Sequence, residues 1–353
     1  MKKILFICKE QFGYHIDSYK YCCLLGEDYD ITYLCFDKGQ EHIDCKRQNV
    51  SVIYVSWKGK KLFRSLRFIV KALREIYSNK SIVFVIYLPG FFIFKLLAPF
   101  KKMILDIRTL SVSPNPRKRK IEDYILYLST FIFSYVTVIS NGVANKLSLS
   151  NDKSSLLPLG ADSIAFSLKS FERIKLLYVG TLTGRNIIDT LKGLLIFNQK
   201  YPDLYITYDI VGEGDDKVLL KDFIETHNLK DRVFMHGYLS HDRLTKLFSE
   251  CNVGVAYVPI TPYYEEQPST KVFEYAMSGL YTIATDTNAN RAVINKENGI
   301  LIKDNSSSFA SAIERVYLYG NTFNSGKIRD SLSKYEWKNI VDTYLVPVIN
   351  RFI

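Results

Sequence analysis

Two carboxylates, Glu266 and Glu274, stand with seven residues between them in the segment Glu265-Glu-Gln-Pro-Ser-Thr-Lys-Val-Phe-Glu-Tyr-Ala-Met-Ser-Gly279. The grammar of this segment is loop, helix, strand. Pro268 suits a first-turn position, Ser269 and Thr270 can satisfy free amides there, and Gly279 can supply a left-handed stop before the strand that opens at Leu280. A helix that opens at the C-terminal edge of a strand aims unpaired N–H groups outward, so it can hold a phosphate. Glu274 lies among Val272, Phe273, Tyr275 and Met277. A carboxylate in that company needs hydrogen-bonding partners, and ribose hydroxyls would serve. Each carboxylate keeps the alternative of being a solvated surface charge.

The elements that must position this segment form two series. Short apolar runs bounded by turn residues occur at Ile4 to Cys8, Ile31 to Phe36, Val52 to Val55, Val83 to Tyr87, Met103 to Leu105 and Val136 to Ile139, mostly with helix-like segments between them. The rhythm pauses at Pro158-Leu-Gly-Ala-Asp162 and resumes with Lys175 to Val179, Tyr205 to Val211, Val233-Phe234, Val253 to Tyr257, Tyr281 to Ala284 and Gly299 to Ile302. Such alternation predicts an α/β protein with two doubly wound parallel sheets, over residues 1–162 and 163–334, whose strand C-termini face a shared cleft. Residues 335–353 read as a helix returning to the first domain.

The residues resemble a known family, the retaining glycosyltransferases of glycosyltransferase family 4, with the two-domain GT-B fold. Glu266 and Glu274 match its E-x7-E signature, inside a matching run from Pro268 to Gly279. Upstream, Tyr178-Val-Gly180 followed by Arg185 resembles the first phosphate loop of the donor domain. Val211-Gly-Glu-Gly214 resembles the second loop, and Val233-Phe-Met-His-Gly-Tyr238 the third. The resemblance implies that Glu274 binds the nucleotide ribose and Glu266 holds the transferred sugar. It also implies that Arg185, with Lys271 and the amides near Ser269 and Thr270, neutralises the leaving diphosphate, where charge builds as the bond breaks. Gly180, Gly212, Gly214, His236 and Gly237 join the donor site, as does Gly13 in the loop after the first strand. Neither a metal nor a cofactor is implied beyond the nucleotide-diphosphate sugar itself.

Two departures from the family stand out. The position after Gly180, often Arg, is Thr181, and the first-domain loop Glu10-Gln-Phe-Gly-Tyr-His15 has a single glycine. Where the family often has a catalytic His near the acceptor, the strand ending at Leu105 is followed by Asp106-Ile-Arg108. Asp106 or Arg108 takes that role, or the two form a structural ion pair. His15 is either a base or a loop histidine. A catalytically silent nucleotide-binding component of a membrane assembly, or an epimerase or phosphorylase on the same fold, is the competing reading.

Charge divides unevenly between the halves. Residues 1–160 carry 25 Lys and Arg against 13 Asp and Glu, whereas residues 161–353 carry 22 against 23. A one-sided basic surface suits an anionic membrane or nucleic acid. No nucleic-acid-binding motif accompanies this charge, so the expected partners are a nucleotide sugar, a glycan or lipid-linked acceptor, and an anionic membrane. Leu62, Leu66, Phe68, Ile69 and Leu73 share a helical face among Lys61, Arg64, Arg67, Lys71 and Arg74, and Arg117 to Lys120 add a second basic cluster. The helix reads either as a membrane-surface helix or as a crossover helix with a solvated basic face. No run reaches the roughly 20 apolar residues of a membrane span, and Met1 to Cys8 reads as a strand rather than a leader. Five of the six cysteines fall in the first 45 residues without C-x-x-C spacing, as expected of buried reduced thiols in a cytoplasmic protein held at the inner face of the membrane.

Overall fold

Runs such as Ile82-Val-Phe-Val-Ile86 carry apolar side chains on both faces of a strand, so they can exist only with helices packed above and below. The computed structural model, which describes residues 1–78, 81–113 and 115–352, resolves this requirement into two units. One comprises Met1–Gly160 with Trp337–Ile353, and the other Ala161–Glu336.

The first unit holds seven parallel strands: β1 (Lys2–Ile7), β2 (Tyr29–Asp37), β3 (Val50–Ser56), β4 (Ile82–Ile86), β5 (Met103–Ile107), β6 (Tyr135–Val138) and β7 (Ser154–Leu156). Their order across the sheet is β3-β2-β1-β4-β5-β6-β7. Crossovers run through α1 (Ile16–Leu25), α2 (Lys61–Ser78), α3 (Phe92–Leu97), α4 (Pro116–Ile132) and the short α5 (Asn141–Lys146). Central β4, β5 and β6 are buried at every position, while edge strand β3 is partly open. The three-residue β7 was not expected from the sequence, because Ser154-Ser-Leu156 has too little apolar content to announce a strand.

The second unit holds six parallel strands: β8 (Lys175–Val179), β9 (Thr207–Val211), β10 (Val233–Gly237), β11 (Val253–Ala256), β12 (Tyr281–Thr285) and β13 (Gly299–Ile302). Their order is β10-β9-β8-β11-β12-β13. Between and after them come α6 (Ile188–Lys200), α7 (Lys217–Thr226), α8 (His241–Glu250), α9 (Thr270–Met277), α10 (Asn288–Arg291), α11 (Ser306–Tyr319) and α12 (Ser325–Asp330). Strand order reverses between β8 and β11 here, and between β1 and β4 in the first unit. At such a switch point neighbouring loops leave in opposite directions and open a crevice at the strand C-termini.

Helical turns from Trp337 to Asn350, including a π turn at Val341–Leu345, complete the first unit. Trp337 packs edge-on against Tyr21 and lies so close to Gly160 that a Cβ there would meet its ring at 2.4 Å. Near its end, Asn350 accepts a hydrogen bond from Tyr29, and Arg351 donates to the Tyr135 hydroxyl. Among the described residues no helix is long and apolar enough to cross a membrane. All six cysteines are free thiols, four of them buried.

Candidate active site

The loops leaving β8, β9 and β10 stack backbone against backbone. Gly212 adopts φ +150, and a Cβ there would stand 1.8 Å from the Gly180 carbonyl oxygen. A Cβ on Gly214 would meet the Thr183 nitrogen at 2.4 Å. Backbone bonds lock the stack: Gly212 N donates to Gly237 O at 2.9 Å, and Leu182 N donates to Glu213 O at 3.0 Å. Side chains complete it, with Thr183 Oγ1 accepting from Asp215 N at 2.9 Å and Asp216 Oδ2 accepting from Gly184 N at 3.2 Å. Backbone contact thus requires glycine at positions 212 and 214, and a left-handed φ of +68 favours it at 237.

Across the switch point, the segment between β11 and α9 comes to meet the first loop. The Arg185 guanidinium lies over the Tyr264 ring, 4.6 Å from its centroid. Both groups lie near Tyr178, whose hydroxyl donates to Thr181 O at 2.6 Å. Burial holds the Tyr178 phenol above its ordinary range, an effect the Arg185 charge opposes. Thr181, the departure from the expected arginine, is exposed, with its hydroxyl 3.4 Å from Glu213 O.

Helix α9 begins at Thr270, so Pro268 stands before the cap rather than in the first turn. Ser269 occupies the cap with extended backbone, yet its side chain makes no capping bond. This corrects the expectation that Ser269 would satisfy the first-turn amides itself. Gly279 ends the helix at φ +78, as its position suggested. Glu274 and Lys271 are both half-buried and form an ion pair one turn apart. Glu266 Oε1 accepts from Asn288 Nδ2 at 2.8 Å, whereas its neighbour Glu265 receives the backbone amides of Asn288 and Ala289 at the start of α10. Glu265 is thereby committed to a helix end, and Asn288 orients Glu266.

Tyr275, the residue after Glu274, escaped the sequence reading. It is fully buried, its ring would collide with any Cβ on Gly254, and its hydroxyl accepts from Val179 N at 2.8 Å. That bond ties α9 to the last residue of β8, next to Gly180. A glycine inside the strand Val253-Gly-Val-Ala256 was the available signal, because strand glycines mark close approach.

Other expected site residues lie elsewhere. His236 projects from edge strand β10 and bonds Asp209 Oδ1 on neighbouring β9 at 2.6 Å; the Gly237 backbone, not the His236 ring, joins the glycine loops. Gly13, expected at the donor, is buried at φ +92, and a Cβ there would meet Ile43 at 2.6 Å, so its glycine serves packing. His15 caps α1, its Nδ1 accepting from Ser18 N at 3.3 Å. Burial lowers its imidazole pKa, which keeps Nδ1 free to accept.

Asp106 and Arg108 form an interior brace. Asp106 accepts from Thr137 Oγ1 at 2.7 Å, while Arg108 donates to Asp17 Oδ2 at 2.5 Å and to Leu157 O at 2.7 Å. Burial pushes the Asp106 carboxyl up to about 6 against the opposing pull of Arg108 and Thr137. Asp106 has no solvent exposure and Arg108 only 9%. These bonds are those of the structural alternative, though the carboxylate and guanidinium groups stand 3.9 Å apart, and Asp106 Oδ2 and Arg108 Nη2 are buried without hydrogen-bond partners among the described residues.

Comparison with known proteins gives this geometry a family. Residues 173–318 match the family model described as Glycosyl transferases group 1. The second unit carries a group 1 glycosyltransferase domain. All three glycine loops and the carboxylate helix lie within it. One polypeptide of the human phosphatidylinositol N-acetylglucosaminyltransferase is 26% identical over 196 residues, 53% of this chain and 39% of that protein. This chain therefore matches about two fifths of its relative's length. A sucrose-phosphate synthase from Thermosynechococcus elongatus superposes with a TM-score of 0.77 at 17% identity, over 100% of this chain and 99% of its own. Anabaena HepE in complex with UDP and glucose gives 0.74 at 12% identity, over 99% of this chain and 100% of its own. The two Rossmann-like parallel-sheet units are those of GT-B glycosyltransferase structures.

Proposed function

We propose that the chain is a retaining, metal-independent hexosyltransferase that moves a sugar from a nucleotide-diphosphate sugar to a glycan or lipid-linked acceptor in bacterial surface polysaccharide synthesis. One observation carries the reading: close-packed glycine loops and Arg185 stand across a sheet switch point from the helix that bears Glu274, with Glu266 just before it. Backbone amides at the uncapped start of α9 suit phosphate oxygens, the glycine loops leave room for them, and Arg185 and Lys271 supply positive charge. Glu274 then takes the ribose hydroxyls and Glu266 a hydroxyl of the transferred sugar.

In the reaction the bond from the anomeric carbon to the diphosphate oxygen breaks, and a bond to the acceptor oxygen forms on the same face. The acceptor's proton passes to the departing diphosphate. Preorganised cations and amides stabilise the charge that develops there. A sugar and UDP in the Anabaena structure, and a lipid in the name of the human relative, favour this substrate class.

The protein works at the inner face of the membrane in this reading. Leu62, Phe63, Leu66 and Val70 of α2 and Phe100 beyond α3 are exposed, Phe100 at 99%. Between residues 50 and 102 the chain carries eleven Lys and Arg and one acid, Glu75. Exposed apolar groups among cations suit an anionic lipid surface, each cation contributing about 1 kcal/mol. The buried stripe of α2 is Phe68, Ala72 and Ile76, so the apolar residues divide between the core and the surface, and Leu62 and Leu66 do not share the face of Phe68.

The test is release of nucleoside diphosphate from UDP-, GDP-, ADP- and dTDP-sugars, with and without a bacterial lipid extract. Release from one donor, accelerated by the extract and abolished by Glu274→Ala, is expected. No release and no nucleotide binding would favour a silent component of a larger assembly instead, and acceptor-independent turnover an epimerase or phosphorylase.

A further inference from the structure

A cavity of about 400 Å³ opens in the first unit where its strand order reverses. Lys9 follows β1 and Pro89-Gly90 follows β4, so the cavity occupies the crevice between the two oppositely directed loops. Its walls are aromatic. Phe36 at the end of β2 stacks on Phe68 of α2 at 4.4 Å between centroids, Phe68 stacks on Phe91 at 5.7 Å, and Trp57 stands edge-on to Phe36 at 4.9 Å.

Its rim is cationic. The Arg64 guanidinium lies over Trp57, 3.6 Å from the ring centroid, and Lys61 stands one turn earlier on α2. Among the described residues no carboxylate pairs with either one. Lys9, by contrast, lies 3.4 Å from Glu10, and Arg67 is spent on the Lys58 carbonyl. The exposed apolar residues Leu62, Phe63 and Leu66 continue outward from the same helix.

From this arrangement we infer that the cavity is a binding site for an amphipathic phosphate ester, with its apolar chain against Phe36, Phe68 and Phe91 and its phosphate on Lys61 and Arg64. A neutral sugar could stack on a ring but would leave the two cations unanswered, and an inorganic anion would leave the cavity unfilled. The volume suits a ligand of modest size, and two cations without carboxylate partners complement a phosphate or diphosphate. The site rests on the proposed function and deepens it, naming the acceptor class as a lipid-linked phosphate.

Trp57 gives a direct readout, since the second tryptophan, Trp337, is buried at 4% exposure. The full-length protein is titrated with farnesyl diphosphate below its micellar concentration while Trp57 fluorescence is followed, and Trp57→Phe identifies the source of the signal. Saturable binding is expected, at least about tenfold tighter than farnesol or inorganic diphosphate and weakened about tenfold or more by Arg64→Glu. Equal affinity for inorganic diphosphate or for farnesol, or indifference to Arg64→Glu, would overturn the site. A response to phosphatidylglycerol vesicles without one to farnesyl diphosphate would replace it with a headgroup contact. UDP binding, measured calorimetrically on the same preparation, tests the donor reading separately, so either site can fail while the other stands.

Discussion

The loops of the second unit and the brace beneath the first unit's sheet solve opposite problems with charge. Around Gly212 and Gly214 the backbone is packed so tightly that side chains are excluded, and Arg185 rests on an aromatic ring. Around Asp106 and Arg108 the backbone is extended, and the side chains are buried, Asp106 bonded to Thr137 and Arg108 to Asp17 and Leu157. At the loops the Arg185 cation stays half-exposed against a ring, whereas in the brace the Arg108 cation is buried against Asp17. Charged residues in a motif can therefore be sorted by whether their charge is already answered.

Removing the open cation should have the largest effect. Arg185→Ala is expected to lower kcat by about 10²–10³ with the fold intact, measured by nucleoside diphosphate release beside circular dichroism. A fall below tenfold would break the contrast by making Arg185 a stacking residue. Next comes the backbone: Gly212→Ala should cost roughly 3 kcal/mol or more in urea unfolding. The same change at Gly39, also left-handed at φ +76 but with open space around it, should cost about 1 kcal/mol.

The brace predicts a pH dependence of the opposite character. Its Asp106 carboxyl, pushed up to about 6, lies above the roughly 3.9 of an unfolded aspartate. Its contribution to stability is therefore complete below about pH 4 and lost as pH rises through 6, on the order of 1–3 kcal/mol. Asp106→Asn should flatten unfolding free energy across that window; an unchanged slope would assign the titration to another group. The smallest effect separates two serines. Ser140, whose hydroxyl accepts from Val143 N at 3.2 Å at the start of α5, should cost about 1 kcal/mol on change to Ala. Ser269→Ala should cost less than about 0.5 kcal/mol, because its side chain makes no such bond.

Sequence legibility followed the same division. Strands β4, β11 and β12 were plain in the chain because burial on both faces favours short, mostly apolar runs, and edge strand β7 was hidden because it needs few apolar residues. Glycine loops were readable since no other residue fits Gly212. Asp106 and Arg108 were ambiguous for a physical reason: the same pair serves as a catalytic couple or a brace, and only burial decides. The split of α2 into a buried stripe at Phe68, Ala72 and Ile76 and an exposed one at Leu62 and Leu66 overturns the expected single face, because residues two apart stand on nearly opposite sides of a helix.

The return of the chain end to the first unit carries a consequence for how the protein is made. Ala161–Glu336 is one uninterrupted stretch, free to fold as soon as it leaves the ribosome, since domains fold as units during synthesis. The first unit cannot finish with it. Its contacts from Tyr29 to Asn350 and from Tyr135 to Arg351 join residues 321 and 216 positions apart, so Tyr21 waits for Trp337 until the whole second unit has been made. Of these two units, the one begun first is thus the one completed second, and a nascent chain stalled at Glu336 should bind a chaperone through that unfinished unit.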